Sequence, residues 1–101
     1  MKYNKLVRDN IIQIIQSKGQ TASFHIAGTD EEYWMKLKEK LLEEVNELLQ
    51  DESMGEVADV LEVLEAMCAY KGFSKLEVEE VKNKKLEERG GFEKRIILEE
   101  S

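Results

Sequence analysis

A chain of 101 residues, 42% of them hydrophobic, reads as one modest domain with enough apolar material for a core. Its 22 acids outnumber 15 Lys and Arg for a formal net charge of −7, which argues against the basic face that general DNA or RNA binding needs. It does not exclude a small phosphate ligand, because a bound cation reverses the local field. Proline is absent and 37% of residues are charged, which favours helices. Cys68 is the single cysteine, so no internal disulfide forms and a reducing, cytoplasmic compartment is expected. No apolar run reaches ~18 residues, so no membrane span is expected, and Met1-Lys2-Tyr3-Asn4-Lys5 lacks the apolar stretch of a signal peptide.

In chain order, residues 1–6 are expected to be extended or irregular. Val7, Ile11, Ile12, Ile14 and Ile15 follow helical spacing and predict a first helix from Val7 to Lys18, stopped by Gly19. Ala22, Phe24 and Ile26 alternate with polar residues, which predicts a short strand over 21–26. His25, the single histidine, has no cysteine or second histidine near it and reads as a polar strand residue, not a ligand.

Thr29-Asp30-Glu31-Glu32 is a capping box that opens a second helix running to about Gln50. Trp34, Leu37, Leu41, Val45 and Leu48 gather on one of its faces. A third helix runs from Met54 to Lys71, capped by Ser53 and stopped by Gly72. It is apolar nearly all round, so burial on more than one side is expected, which one chain of this length cannot supply; a homodimer at least, or a tetramer, follows. Met67 and Cys68 are then core residues and not a redox site. Ser74-Lys75-Leu76-Glu77 opens a fourth helix to Arg89 with a thin apolar stripe, Leu76, Val78, Val81 and Leu86. Gly90-Gly91 ends it, and Phe92 to Leu98 reads as an extended segment able to pair with 21–26 as a two-stranded ribbon. The expected fold is all-α and four-helix bundle-like around an antiparallel helical hairpin, with short extended segments near 21–26 and 93–98, homo-oligomeric, in one domain over 1–101.

The acids carry the chemistry. Glu44 and Glu47 are three apart, as are Glu56 and Asp59, and residues three apart share a helix face. The link between helices two and three is short, so the helices are antiparallel neighbours. Glu47 and Glu56 are then equidistant from the turn, and so are Glu44 and Asp59, forming two rungs roughly 4.5 Å apart along the axis. Four carboxylates so placed repel one another unless a cation joins them. Hard oxygen ligands suit Mg²⁺, with Mn²⁺ an acceptable substitute, and paired ions in phosphoryl-transfer sites sit about 3.5–4 Å apart. Glu62 continues the spacing but drifts round the helix. The competing reading is a solvated acidic face, with Glu56 serving a capping box on Ser53. Lys85 and Arg89 share a face of the fourth helix and offer the cations that a triphosphate requires beside its metals. They compete with intrahelical pairing to Glu80, Glu87 or Glu88.

Glu43-Glu44-Val45-Asn46-Glu47 followed by Glu56-Val57-Ala58-Asp59 resembles the signature of the MazG-like nucleotide pyrophosphohydrolases, in the all-α NTP pyrophosphatase superfamily that includes phosphoribosyl-ATP pyrophosphohydrolase. Two further segments resemble one branch of it: Tyr3-Asn4-Lys5-Leu6-Val7-Arg8-Asp9-Asn10-Ile11, and Asn83-Lys84-Lys85-Leu86-Glu87-Glu88-Arg89-Gly90-Gly91-Phe92. The spacer between the acid motifs is shorter than in typical relatives, which leaves a tighter metal geometry, and Ile11 stands where relatives usually have proline.

The resemblance implies Mg²⁺ on Glu44, Glu47, Glu56 and Asp59 and a water that attacks the α-phosphorus of a nucleoside triphosphate, releasing pyrophosphate and a nucleoside monophosphate. Glu43 or Glu47 would orient that water. Lys85, Arg89, Asn83, Lys5 and Arg8 would bind phosphate or substrate, the last two from an N-terminal segment that, with Asp9, would lie near the site. House-cleaning of non-canonical nucleotides and cleavage of phosphoribosyl-ATP both fit. A non-catalytic helical dimer that binds a protein partner, or a nucleotide or cation sensor without turnover, are the other readings.

Overall fold

A Ser or Thr three residues ahead of a glutamate punctuates this chain three times, and a helix starts at each in the computed structural model, which describes residues 4–101. The elements are α1 (Ile11–Ser17), α2 (Asp30–Asp51), α3 (Met54–Lys71) and α4 (Lys75–Arg89). The Thr29, Ser53 and Ser74 hydroxyls accept the backbone N–H of Glu32, Glu56 and Glu77, which satisfies a donor that a helix start otherwise leaves unpaired. Glu52 takes a left-handed conformation (φ 53°) with its N–H on the Leu48 carbonyl at 2.8 Å, so the chain reverses within two residues. Gly72 (φ 74°) ends α3, where a side chain would strain the backbone.

That reversal lays α3 antiparallel against α2, the one pair of described helices in extensive contact. Trp34, Leu37, Leu41, Val45 and Leu48 point inward as their spacing predicts, and Leu37 is 1% exposed. Val63 meets them from α3. At the open end Trp34 stacks on Tyr70, ring centres 4.9 Å apart, with Tyr33 edge-on and the Lys71 ammonium 4.6 Å from the Trp34 ring. Trp34 and Tyr70 are symmetric about residue 52, so hairpin register is kept over its whole length.

Three expectations need correction. The first helix starts at Ile11, not Val7, because Asp9 and Asn10 form a turn in which Ile11 donates its N–H to the Arg8 carbonyl at 3.0 Å, a bond that proline would lack. No strand forms among the described residues. Around 21–26 the polar groups turn to α2: Glu32 accepts from the Gly28 N–H and holds the His25 ring, both at 2.8 Å. Near the other end a turn at Phe92–Arg95, with Arg95 at φ 58°, breaks the extended run expected over 93–98. Of the extended start expected for residues 1–6, residues 1–3 lie outside the described residues.

Nor do four helices bundle within one chain. Every residue from Lys71 to Ser101 is exposed, α4 included. So is the outer stripe of α3, Val57, Leu61 and Leu64, while Val60, Met67, Cys68 and Tyr70 are half-buried. The chain presents 9406 Å² to solvent, against roughly 5,900 Å² for a compact monomer of 11.7 kDa. Its radius of gyration is 17.8 Å, where about 13 Å is usual for this length. Among the described residues no helix is long and apolar enough to cross a membrane.

Candidate metal centre

Glu44 occupies a core position. It lies three residues after Leu41 and four before Leu48 on the α2 stripe that faces α3, and it is only 7% exposed. Glu56 and Asp59 fall on the α3 stripe that continues through Val63 toward α2. One carboxylate oxygen from each of Glu44, Glu56 and Asp59 lies within 4.8 Å of the other two. An octahedral Mg²⁺ holds neighbouring oxygens about 3.0 Å apart and opposite ones about 4.2 Å, so the three side chains would draw together to share one ion.

The Oε2 atoms of Glu44 and Glu56 are buried and have no hydrogen-bond partner. An unpaired buried carboxylate oxygen is destabilising, by about 1–3 kcal/mol or more. Two of them, on two residues of one acidic cluster, fit a hard divalent cation. The capping box explains the Glu56 backbone, whose N–H reaches Ser53 Oγ at 3.3 Å, but not its buried Oε2.

Glu47 stands at the rim. It is exposed, because three residues of helix turn it about 60° away from Glu44. Repulsion from Glu44, a hydrogen bond shared with it, and the charges of Glu56 and Glu43 raise its pKa above the ordinary value of 4.5. The expected rungs therefore resolve into a triad with Glu47 as a near neighbour. Glu62 is exposed and outside the triad.

Cations surround these acids. Lys40 Nζ lies 3.2 Å from Glu44 Oε1 and 3.3 Å from Glu43 Oε2. Lys5 Nζ meets Glu43 Oε1 at 2.9 Å, and Arg8 Nη2 meets Asp59 Oδ1 at 2.7 Å. Lys36 Nζ donates to the Asn4 carbonyl at 2.8 Å and ties the same N-terminal segment to α2. Burial alone would raise the Glu43 pKa, but the hydrogen bond from Lys5 and the attraction of Lys40 outweigh it and hold it below 4.5. The same Glu43 bond raises Lys5.

The structure thus brings Lys5 and Arg8 to the acid motifs, across 38 and 51 residues of sequence. Asp9 stays exposed in the turn before α1. It does not bring Asn83, Lys85 or Arg89 there: no described hydrogen bond or ion pair joins them to the cluster, because α4 packs on neither helix of the hairpin within this chain. Sequence reading passed over Lys40, although its spacing of four residues to Glu44 is the helical ion-pair spacing. It also passed over the pairing of His25 with Glu32, for which only their shared proximity to a helix start gave a signal.

In comparisons with known proteins, no family model, no curated protein and no solved structure matches this chain.

Proposed function

We propose that this chain is a Mg²⁺-dependent nucleotide pyrophosphohydrolase of the MazG-like kind, cleaving the bond between the α- and β-phosphates of a nucleoside triphosphate. The observation that carries this reading is the buried Glu44, clustered with Glu56 and Asp59, with one oxygen each of Glu44 and Glu56 buried and unpaired. The order of motifs in the sequence supplies the reaction class. Glu44, Glu56 and Asp59, with Glu47 beside them, would hold Mg²⁺ or Mn²⁺. When bound, the ion would neutralise triphosphate charge and favour ionisation of water.

The chain's own groups divide the remaining work. Glu43 is committed to Lys5 and Lys40. Glu47, exposed and with a raised pKa, is the better of the two for orienting water and accepting its proton. The water oxygen bonds to the α-phosphorus, the α–β bridging bond breaks, and pyrophosphate leaves. Lys85, Arg89 and Asn83 would reach the phosphates only with α4 packed in an assembly.

That assembly is part of the proposal. A 15-residue helix without tertiary partners is marginal in water, and the surplus of roughly 3,500 Å² per chain over a compact monomer, about 7,000 Å² for a pair, is more than the area that most obligate dimers bury. A homodimer, or a tetramer built from it, would cover α4 and the outer stripe of α3. House-cleaning of non-canonical triphosphates and cleavage of phosphoribosyl-ATP are the two substrate classes to screen.

The test is a panel of nucleotides at fixed Mg²⁺, with pyrophosphate and melting temperature both measured. Pyrophosphate release that is abolished by Glu44→Ala or Asp59→Ala, with helical circular dichroism retained, is the expected outcome. Full activity in both variants rejects the site. A melting shift without pyrophosphate makes the protein a sensor, and no shift at all favours the partner-binding helical dimer.

A further inference from the structure

Arg8 bonds a carboxylate that also belongs to the metal-ready triad, and Lys5 bonds the neighbouring Glu43. Both cations come from one short segment that precedes α1 and is anchored to α2 through the Asn4 carbonyl. Five carboxylates meet here, Glu43, Glu44, Glu47, Glu56 and Asp59, and three cations, Lys5, Arg8 and Lys40. With all three in place the cluster keeps two formal negative charges, which suit one divalent ion. With Lys5 and Arg8 withdrawn it keeps four, which suit two.

We infer that residues 4–10 are a displaceable arm: Arg8 and Lys5 act as resident counter-ions of the acidic cluster, and loading of divalent cations expels them. The inference rests on the cation site proposed above and not on hydrolysis. The physical cause is competition for shared oxygens. A divalent ion on Asp59 withdraws the electron density that the Arg8 guanidinium binds, and places a like charge within a few ångströms of it. Both partners of the Arg8–Asp59 pair are substantially exposed, 55% and 39% at the side chain, so the pair is weak enough to exchange. Lys40 behaves differently. Its side chain is 15% exposed and fixed on α2 one turn from Glu44, so it stays. The arm therefore offsets part of the repulsion within the metal-free cluster, and frees two cations at the mouth of the site when the metal arrives, where they can meet an anionic ligand.

The experiment is calorimetric Mg²⁺ titration of the full chain and of Arg8→Ala, Arg8→Lys and Glu44→Gln, with limited proteolysis by a lysine-specific protease. Arg8→Ala is expected to bind Mg²⁺ more tightly, on the order of tenfold, while Arg8→Lys stays near the parent. Mg²⁺ is expected to speed cleavage after Lys5 several-fold relative to cleavage after Lys94 in the exposed tail, because the protease must take the freed lysine side chain. Unchanged affinity in Arg8→Ala, or slower cleavage after Lys5 with Mg²⁺, overturns the arm and leaves the cation site standing. Absence of Mg²⁺ binding, or binding undiminished in Glu44→Gln, removes the cation site and the arm with it. Lack of nucleotide turnover touches neither result.

Discussion

Helices α2 and α4 are built from the same parts and end differently. Each opens on a hydroxyl that caps the third residue on, and each carries a stripe of leucine and valine. The α2 stripe is covered, down to 1% exposure at Leu37; the α4 stripe of Leu76, Val78, Val81 and Leu86 lies open along its length. Capping is decided between neighbours in sequence and needs nothing else. Burial needs a second surface, and within this chain only α3 provides one, to α2. The same contrast holds for charge. Glutamates on α4 are solvated, but Glu44 on α2 is enclosed, so an acid of ordinary kind acquires an unpaired buried oxygen and a reason to bind a cation.

The contrast can be broken or sharpened by substitution. The largest effect is expected from Leu37→Ala. Deleting a fully enclosed leucine costs about 3 kcal/mol, and at this chain length the melting temperature should fall by about 15 °C. Leu86→Ala on α4 would match that loss only if another copy encloses Leu86 equally well, so thermal melts of the two variants measure how far α4 is covered in solution.

Next in size is Val81→Glu. A charge placed in the open stripe of α4 should lower the mass found by sedimentation, with part of the helical ellipticity lost on dilution. A mass unchanged from the parent at every concentration would show that this stripe is no interface.

The smallest effect belongs to Glu47→Gln. Because the folded-state pKa of Glu47 is raised, its charge opposes folding at neutral pH, and that penalty is relieved as pH falls toward and through the raised value. Without divalent ions the variant should melt slightly higher than the parent at pH 7, and the gap should close as pH drops toward 4.5. With Mg²⁺ present the advantage should vanish or reverse. Glu43 has the opposite sign: its pKa is depressed, so its contribution is present above 4.5 and is lost only as pH falls below that, through its depressed value. Melting curves across pH in the parent and Glu47→Gln separate the two carboxylates.

The helical ends were legible because each depends on a few adjacent residues. Ser53 and Gly72 bound α3 where the sequence places them, and Ser74 and Arg89 bound α4. The pairing of α2 with α3 was legible too, since two residues of turn leave the helices no other neighbour. The start of α1 was missed because Val7 fits an apolar stripe, yet the Asp9–Asn10 turn precedes the helix. The ribbon was missed because alternation at 22, 24 and 26 is only a local preference, and no partner strand meets it. In the site, spacing placed Glu44, Glu47, Glu56 and Asp59 on two rungs of one hairpin; the fold keeps Glu44, Glu56 and Asp59 together and leaves Glu47 exposed at the rim.

Periodicity and caps, acting over three or four residues, were enough to fix four helices, one hairpin and the convergence of its acids. Which carboxylate is buried, which oxygens are left without partners, and that Lys5 and Arg8 arrive from 38 and 51 residues away were settled only in three dimensions. The reason is range: a cap or a helical face is closed by neighbouring residues, whereas desolvation and long-range ion pairing depend on what the folded chain lays over a given atom.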